Sequence, residues 1–418
     1  MNASPAVFVV GTMDTKGEEL SYLAGHIRAA GVRAVLVDVG TGRTSRKILA
    51  DVPVRAVAAH FPGGNLQPET LERGQAVEAM AVALEHYLRD AWTRGRVQGV
   101  IGLGGTGGSA LLSPALRALP IGVPKVLVST VASGNTAPYV GVSDFTLVNS
   151  VVDIAGLDSI SRRILANAAG AVVGMVAKAG SEDDEASGRV AGMTMFGVTT
   201  PCVSQVRQEL EKDGWECLTF HATGMGGRAM EKMAASGLFS ALLDITTTEV
   251  ADAVVGGVFP AGADRFEVLA SRPIPCVLSL GALDMVNFGA KESVPRQFGS
   301  RLFHQHNAQV TLMRTTPEEN REFARWMAPR LNRSIGPLVV LVPEKGVSHL
   351  DQEGGPFFDP EADGALFDEL EMLFQQTPDR RFVRLPFHIN SPEFAREVLG
   401  HFTDITDGRA LVPVEVHV

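Results

Sequence analysis

The sequence predicts an α/β fold made of two Rossmann-like, doubly wound parallel-sheet subdomains. The chain has 418 residues, more than one hydrophobic core usually serves, so two domains are expected. Short apolar runs alternate with segments of helical periodicity, which is typical of a parallel sheet covered by helices. The order of elements at the start returns in the second half, which indicates an internal duplication. The segment at residues 181–188 is acidic and rich in small residues, which is typical of a linker. We therefore place the subdomains at residues 1–185 and 186–418.

The chain opens with a βαβ unit. Strands are predicted at residues 6–10 and 34–39, with a helix at residues 18–30 between them and Gly31 as its C-cap. The loop between the first strand and the helix lies at the carboxyl end of a strand, where open α/β sheets bind ligands. Its candidate ligand-binding residues are Gly11, Thr12, Asp14, Thr15 and Lys16. The alternative is that Asp14 or Thr15 only caps the helix.

A glycine-dense loop joins a predicted strand at residues 97–103 to a predicted helix at 110–119. Glycine lets backbone N–H groups converge on an anion where a helix begins, so the loop predicts a phosphate site. The candidate residues are Gly104, Gly105, Thr106, Gly107, Gly108 and Ser109. The spacing from Gly102 fits the dinucleotide fingerprint, but the acidic residue expected about 20 positions later is missing. No Lys-Ser or Lys-Thr pair follows the glycines, so this is not a Walker loop either, and the pattern leaves the nucleotide open.

A third loop of the same character follows a predicted strand at residues 125–128. It contributes Thr130, Ser133, Gly134 and Asn135 as candidate phosphate-binding residues. Small polar residues are ordinary in loops, so one loop of this kind can occur by chance. Three loops with residues suited to phosphate binding, all at the strand ends of one sheet, are less expected by chance. Together they predict a nucleotide or phosphate site in the N-terminal subdomain.

The second half repeats the strand, loop, helix, glycine, strand order of the first. Its predicted strands lie at residues 193–197, 217–220, 241–245, 275–280, 338–342 and 381–386. Helices are predicted at residues 203–212 and 364–375, and a further helix is opened by Ser391 as N-cap with Pro392 in its first turn. A cleft between two such halves is the expected place for chemistry.

The strand ends of the second half carry acids, bases and cations. The candidate catalytic residues are Asp284, Glu249 and His349. Carboxylates at these ends could hold Mg²⁺ or act as bases. Candidates to bind an anionic substrate are Arg228, Arg314 and Lys345. The alternative is that each carboxylate caps a helix or pairs with a nearby basic residue.

Composition excludes several classes of function. The net charge of −10 argues against nucleic acid as the main partner. Three cysteines without CxxC spacing are expected to be free thiols in a reducing compartment, so we expect a cytoplasmic protein. The opening has no signal-peptide pattern. A long apolar helix predicted at residues 158–178 is interrupted by Arg162 and Arg163, so we expect no membrane partner.

The sequence has no complete metal-binding motif and no motif of a serine hydrolase or a zinc protease. His304 and His306 form a pair that no further Cys or His spacing completes, so a surface or core role is expected. The chain has neither a Gly-x-Ser-x-Gly elbow nor a His-Glu-x-x-His motif. The three cysteines are expected to be buried thiols without a catalytic role.

Five longer motifs carry a resemblance to a known family. They lie at residues 11–16, 104–108, 221–227, 244–249 and 281–289. Together they resemble the family of the ATP-binding domain of the plant tobamovirus-resistance protein, whose bacterial members form an uncharacterised protein family. The resemblance spans nearly the whole chain. It implies two Rossmann-like subdomains, ATP bound in the N-terminal half and a homodimer, and it leaves the reaction open.

The sequence therefore predicts a cytoplasmic ATP-binding protein. Lys16 would neutralise phosphate charge, and Asp14 or Asp284 would hold Mg²⁺. If the protein is an enzyme, phosphoryl transfer to a small anionic substrate, or its ATP-dependent activation, in the cleft is the expected class. The alternative is a non-catalytic regulatory or scaffold module that binds ATP and acts through a protein partner. An NAD-linked oxidoreductase ranks last because the acidic residue that would hold the ribose is missing.

Overall fold

The computed structural model describes residues 4–42, 48–64, 66–179 and 188–409. The chain divides into two compact units, residues 1–186 and 187–418. We call them unit 1 and unit 2. The predicted linker and the predicted boundary between residues 185 and 186 lie outside the described residues, apart from Gly188.

Unit 1 is built around a five-stranded parallel sheet. Its strands are β1 (Ala6–Gly11), β2 (Ala34–Asp38), β3 (Val97–Gly104), β4 (Lys125–Ser129) and β5 (Thr146–Asn149). Its helices are α1 (Met13–Ala29), α2 (Val54–Ala58), α3 (Arg73–Thr93), α4 (Thr106–Ala118), α5 (Ala137–Val140) and α6 (Ser159–Lys178). The strand order is β2-β1-β3-β4-β5. The order reverses between β1 and β3, so the switch point where such sheets bind ligands lies between the carboxyl ends of these two strands.

The apolar strands of unit 1 are buried because helices cover both faces of the sheet. All six residues of β1 are buried. Alternate residues of this strand point to opposite faces. Val7 and Val9 pack in one core with residues of α1 and α6, whereas Phe8 and Val10 pack in the other with residues of α3 and α4. Burial on both faces explains the continuous apolar runs that predicted parallel strands.

Helix α1 begins earlier than the sequence predicts. The predicted start is residue 18, but α1 runs from Met13 and includes the loop that carries Asp14 and Lys16. Lys16 has non-helical angles, φ −126° and ψ 19°, so the helix is kinked there. The glycine and hydroxyl residues of this segment are typical of a loop, but residues 13–15 form a first helical turn, which the kink at Lys16 follows.

Helix α6 begins where Asp158 caps it, with Asp158 Oδ1 accepting from the N–H groups of Ile160 and Ser161 at 2.7 and 2.8 Å. Within the described ranges, α6 is the one helix long and apolar enough to cross a membrane by length and composition, which is weak evidence by itself.

Unit 2 contains a six-stranded parallel sheet and a smaller antiparallel one. The strands are β6 (Arg189–Met195), β7 (Trp215–His221), β8 (Ala241–Thr246), β9 (Cys276–Gly281), β10 (Met285–Phe288), β11 (Phe303–Asn307), β12 (Val310–Arg314), β13 (Leu338–Pro343) and β14 (Arg380–Leu385). The helices are α7 (Thr200–Lys212), α8 (Met225–Ala235), α9 (Glu249–Val255), α10 (Glu267–Ser271), α11 (Pro317–Leu331), α12 (Pro360–Leu373) and α13 (Pro392–Thr406). The large sheet has the order β7-β6-β8-β9-β13-β14. Its first four strands follow the order of unit 1, so the prediction of two Rossmann-like parallel-sheet subdomains is confirmed.

The antiparallel sheet β10-β12-β11 was not predicted. Its hairpin joins β11 to β12 through Ala308 and Gln309, which are not the residues that signal a two-residue turn. Strand β11 is also polar and largely exposed, so the alternation that marks a strand is missing. The sheet is an insertion between β9 and β13.

Candidate functional site

A cavity of about 730 Å³ lies at the switch point of unit 1. Its walls include the segments that follow β1 and β3, the two strands between which the strand order reverses. The sequence-predicted residues that line it are Thr12, Asp14, Thr15, Lys16, Gly104, Gly105, Thr106, Gly107 and Gly108. Two of the three predicted loops therefore meet in one cavity, whose volume is in the range of small-molecule sites.

The segment after β1 is held in place by backbone contacts. A Cβ atom on Gly11 would come within 2.9 Å of Leu20 Cδ1, so a larger residue where the strand meets helix α1 would force the Leu20 side chain to shift. Asp38 Oδ1 accepts hydrogen bonds from the N–H groups of Met13 at 3.1 Å and Gly40 at 2.8 Å, which ties this segment to the end of β2. Gly11 itself is buried and does not line the cavity.

The glycine loop after β3 is a tight turn into helix α4. A Cβ atom on Gly104 would lie 2.8 Å from Gly108 Cα, so the turn requires glycine at this position. Gly105 is the N-cap of α4. It has no side chain with which to cap the first turn, so the N–H groups of residues 106–108 lack the usual side-chain acceptor. Unsatisfied N–H groups at a helix start, with the helix dipole behind them, favour an anion.

Lys16 and Asp14 place opposite charges on the cavity wall. The Nζ of Lys16 donates a hydrogen bond to the backbone carbonyl of Ile154. Asp14 Oδ2 accepts from the N–H of Gly42 at 2.8 Å. The other oxygen, Oδ1, is buried and has no hydrogen-bond partner among the described residues. A buried carboxylate oxygen without a partner is costly, so a cation or a donor at this point would stabilise it.

The remaining predicted residues of unit 1 lie beside the cavity or away from it. Thr130 Oγ1 lies 3.7 Å from the position of a Cβ on Gly105, so it flanks the glycine loop. Ser109 is fully buried, with its Oγ 2.5 Å from Ser129 Oγ, and it joins the ends of β3 and β4 beneath the loop. The exposed end of the third loop does not line the cavity; it comprises Ser133, Gly134 and Asn135.

Sequence reasoning missed several cavity residues. Arg73 and Asp153 add one positive and one negative charge, and Leu71 and Val77 add apolar surface. Arg73, Leu71 and Val77 belong to the start of α3 or to the segment before it. They follow no strand and form no motif. Their approach to the cavity is a property of how α3 packs against α4, which sequence spacing does not reveal.

In the second glycine-rich loop, residues 221–227, the backbone N–H groups bind a side chain of the protein itself, that of Glu249. Glu249 Oε1 accepts from the N–H groups of Gly224 at 2.7 Å and Gly227 at 3.1 Å. Its other oxygen, Oε2, lies 3.3 Å from Nε of the buried Arg265. Glu249 is fully buried. It therefore occupies the anion position at the start of helix α8.

Glu249 is one of three carboxylates around Arg265. Asp244 and Glu231 lie 2.8 and 2.6 Å from its guanidinium. Burial raises the pKa of Glu231 to about 7, although Arg265 favours its charged form. Neighbouring Asp252 is also buried, and its pKa is raised to about 7, chiefly by burial. Asp252 accepts hydrogen bonds from the N–H groups of Asn287 and Phe259 at 2.7 and 2.8 Å.

Asp284 belongs to a second buried network. Its Oδ2 accepts from Ser348 Oγ at 2.8 Å. Burial, with a further contribution from the nearby carboxylate of Asp351, raises the pKa of Asp284 to about 7. Arg314 is also buried and contacts Asp363 at 2.7 Å. The structure thus places Glu249 and Asp284 in separate networks, each around its own arginine.

His349 and the other predicted cations occupy different settings. His349 has an exposed side chain, and its backbone N–H donates to the carbonyl of Val198 at 2.9 Å. Lys345 and Arg228 are also exposed. The catalytic role of the three predicted residues, Glu249, Asp284 and His349, stays a prediction.

Metal-ligating groups do not cluster in the part of the chain that the structure describes. No group of three or more His, Cys, Asp and Glu side chains there has the arrangement of a metal site. The cysteines Cys202, Cys217 and Cys276 are free thiols. Burial raises the pKa of Cys202 to about 12, so this thiol is a packing group rather than a nucleophile.

Two family models match the chain in succession. Residues 5–181 match the N-terminal domain of an uncharacterised protein family, UPF0261, and residues 189–406 match the C-terminal domain of the same family. The two matches fall within unit 1 and unit 2.

Similar proteins occur in bacteria and in a plant. A UPF0261 protein of Rhizobium meliloti is 52% identical over 402 residues, which is 96% of this chain and 99% of that protein. A UPF0261 protein of Clostridium tetani is 43% identical, over 93% of this chain and 96% of its own length. The ToMV resistance protein Tm-1 of Solanum lycopersicum is 46% identical over 96% of this chain, but the match covers only 56% of the tomato protein.

Proposed function

The chain belongs to the uncharacterised protein family UPF0261, and from that premise we propose that unit 1 binds ATP in its switch-point cavity. The observation that carries the proposal is the meeting of the Lys16 segment and the 104–108 glycine loop in one cavity of about 730 Å³. ATP is the nucleotide that the sequence resemblance implies. The geometry supports a phosphate ligand independently of that resemblance.

The phosphates would bind at the start of helix α4. The N–H groups of residues 106–108 lie in its first turn, and its N-cap is Gly105. Glycines at 107 and 108 leave the backbone uncovered: no heavy atom lies within 4 Å of a Cβ on Gly107, and the nearest to a Cβ on Gly108 is 3.8 Å away. A phosphate can therefore approach the main chain closely, as at other glycine-rich helix starts.

The charges of the cavity wall suit a triphosphate with its metal ion. Lys16 and Arg73 would neutralise phosphate oxygens. Asp14 Oδ1, which has no hydrogen-bond partner among the described residues, would be suited to hold a Mg²⁺ ion that neutralises phosphate charge. Asp153 lines the same cavity and is a second carboxylate for that ion or its waters. Magnesium usually keeps several waters and takes one or two protein carboxylates, which fits a site with two.

The nucleoside would lie against the apolar wall next to α3. Leu71 is 40% exposed although it is a leucine, and Val77 is half-buried. Both line the cavity on the side formed by α3 and the segment before it. A purine base is flat and largely apolar on its faces, so burying it against these side chains removes apolar surface from water.

Two forms of this function are distinguished by the role of unit 2. In the enzymatic form, ATP-dependent phosphoryl transfer or activation of a small anionic substrate needs reactive groups that reach bound ATP. In the other form, the protein is a regulatory or scaffold module that binds ATP and acts through a protein partner. The burial of Glu249 beside Arg265 and of Asp284 beside Ser348 favours the second form, because both carboxylates are enclosed within unit 2. A homodimer and a cytoplasmic location stay predictions.

Calorimetric titration of the full chain with ATP, with and without Mg²⁺, tests the proposal. We expect saturable binding at one site per chain, tighter with Mg²⁺, and competition by inorganic tripolyphosphate. The same sample is then assayed for ADP. ADP formation would support the enzymatic form, and binding without ADP would support the module. Absence of binding would contradict the proposal in both forms.

A further inference from the structure

Unit 2 has a cavity of its own, formed with the help of the inserted antiparallel sheet. This cavity has a volume of about 220 Å³. One wall is made of residues at the carboxyl ends of β6 and β7, and the other of residues of the β11–β12 hairpin. The carboxyl edge of a parallel sheet is the usual ligand edge. The insertion thus completes a concave site that the six-stranded sheet alone would leave open.

The inner part of this unit 2 cavity is apolar. Leu312 is 1% exposed, Val198 7% and Phe196 9%. Phe259 and Val310 line the same space. Water in contact with such a surface gains little hydrogen bonding, so a ligand with an apolar body displaces it favourably.

An aromatic pair forms one side of the cavity. The rings of Phe196 and His221 have centroids 5.2 Å apart and are tilted by 45°. Aromatic rings at such spacings favour a further ring stacked or packed edge to face. The loop that carries Phe196 is held rigid, because Val198 O accepts from the N–H of His349 at 2.9 Å and Thr199 Oγ1 lies 2.8 Å from Thr246 Oγ1.

The polar groups of the cavity lie at its exposed rim. The register of β11 against β12 shifts between Gln305 and Asn307, so His306 is an extra, unpaired residue of a β-bulge. Bulges re-aim side chains, and His306 lines the cavity. Asn307 Oδ1 accepts from the N–H of Gln309 at 2.8 Å, which leaves the Nδ2 group of this amide as the donor it can offer. Imidazole and amide N–H donors at the rim suit a ligand with an acceptor group.

We propose that this cavity binds a monocyclic aromatic carboxylate, with the ring against Phe196 and Leu312 and the carboxylate at the rim near His306 and Asn307. A volume of about 220 Å³ accommodates a single ring rather than a nucleoside. The apolar floor selects the ring, and the donors of the rim orient the carboxylate. The inference rests on unit 2 alone and does not depend on ATP binding by unit 1.

Benzoate is the probe, titrated into the full chain and followed by saturation-transfer NMR. Gly197 lines the cavity, and no heavy atom lies within 4 Å of a Cβ at this position. Gly197→Trp would place an indole ring in the ligand's space. The control is Gly400→Trp, since Gly400 is equally open but lies on helix α13, outside the cavity. Thermal unfolding of both variants checks that each is folded.

The expected result is saturable benzoate binding by the wild type and by Gly400→Trp, with an affinity at least about tenfold lower in Gly197→Trp. Asn307→Ala should weaken benzoate binding and leave binding of toluene, which has the ring but no acceptor group, unchanged. Two results would overturn the proposal: no saturable signal with the wild type, or equal benzoate affinity in a folded Gly197→Trp variant and in the control. ATP affinity should be the same in all these proteins, so this test and the test of the nucleotide site are separable.

Discussion

The carboxylate of Glu249 accepts a hydrogen bond from the backbone N–H of Gly227 at 3.1 Å. A Cβ on Gly227 would lie 2.1 Å from Glu249 Oε2, so the two residues fit together only because one is glycine. The glycine loop of unit 2 therefore carries an internal anion at the start of α8. The loop at residues 104–108 is also rich in glycine, but it lines a cavity. Of the two, only the unit 1 loop is open to an external phosphate.

Removal of the Glu249 carboxylate should destabilise unit 2 without affecting ATP affinity. Glu249→Ala leaves two glycine N–H groups and part of the Arg265 guanidinium without an acceptor. Breaking a buried ion pair from one side costs about 3–5 kcal/mol. Urea unfolding measures the loss, and Glu209→Ala, in an exposed pair with Lys212, is the control. Wild-type stability combined with lost ATP turnover would instead make Glu249 a catalytic residue.

Replacement of Lys16 should weaken ATP binding. Lys16→Ala removes the positive charge of the segment after β1, which we propose to bind phosphate. A hydrogen bond to a charged group contributes about 1.5–3 kcal/mol, so we expect an affinity about 10- to 100-fold lower. Calorimetric titration measures this affinity. Lys212→Ala, at an exposed lysine of unit 2, should bind ATP like the wild type. Unchanged affinity in Lys16→Ala would remove Lys16 from the site.

Two glycines of the same loop should respond differently to alanine. In Gly104→Ala the new Cβ would meet Gly108 Cα at 2.8 Å, so the backbone must shift. A forced shift of this kind costs about 1–3 kcal/mol. We expect a lower unfolding temperature and weaker ATP binding. Gly107→Ala meets no heavy atom within 4 Å, and alanine is the better helix former, so its unfolding temperature should not fall below that of the wild type. Equal unfolding temperatures for the two variants would contradict the tight turn described here.

The stability of unit 2 should fall as the pH rises from about 5 to 7. Burial raises the pKa of Asp252 from 3.8 to about 7, so between these values the folded state holds a proton that the unfolded state has released. The folded state therefore loses stability as pH rises through this window, by about 1.4 kcal/mol per pH unit for one such group. Glu231 and Asp284, each with a pKa of about 7, act in the same direction.

Urea unfolding at several pH values measures this slope. Asp252→Asn removes one titrating group, so its stability should depend less steeply on pH than that of the wild type. Asp264→Asn, at an exposed carboxylate, is the matched control. Identical slopes for the wild type and Asp252→Asn would contradict the raised pKa.

The parallel sheets could be predicted because their strands are apolar on both faces. Strands β1 and β13 are buried throughout, and this burial appears in the sequence as continuous apolar runs. The antiparallel insertion could not be predicted in this way. Strand β11 is Phe-His-Gln-His-Asn, partly to fully exposed, and the contacts that hold it are made by its partner β12.

The candidate site could be predicted in part. Residues 12–16 and 104–108 follow strands, and adjacent parallel strands end at the same edge, so their meeting follows from topology. The roles of Glu249 and Asp284 did not follow from sequence, because nothing in the local pattern distinguishes a carboxylate that faces a ligand from one enclosed with Arg265 or Arg314. Tertiary packing decides between the two.

Above all, we propose that unit 1 holds ATP by its phosphates at the start of α4. A crystal structure of the full chain with Mg²⁺ and a non-hydrolysable β,γ-imido analogue of ATP tests it most directly. We predict triphosphate density against the N–H groups of residues 106–108, with Lys16 Nζ and Asp14 on either side. Density for the analogue at any other place in the chain, with the 104–108 loop empty, would contradict the account.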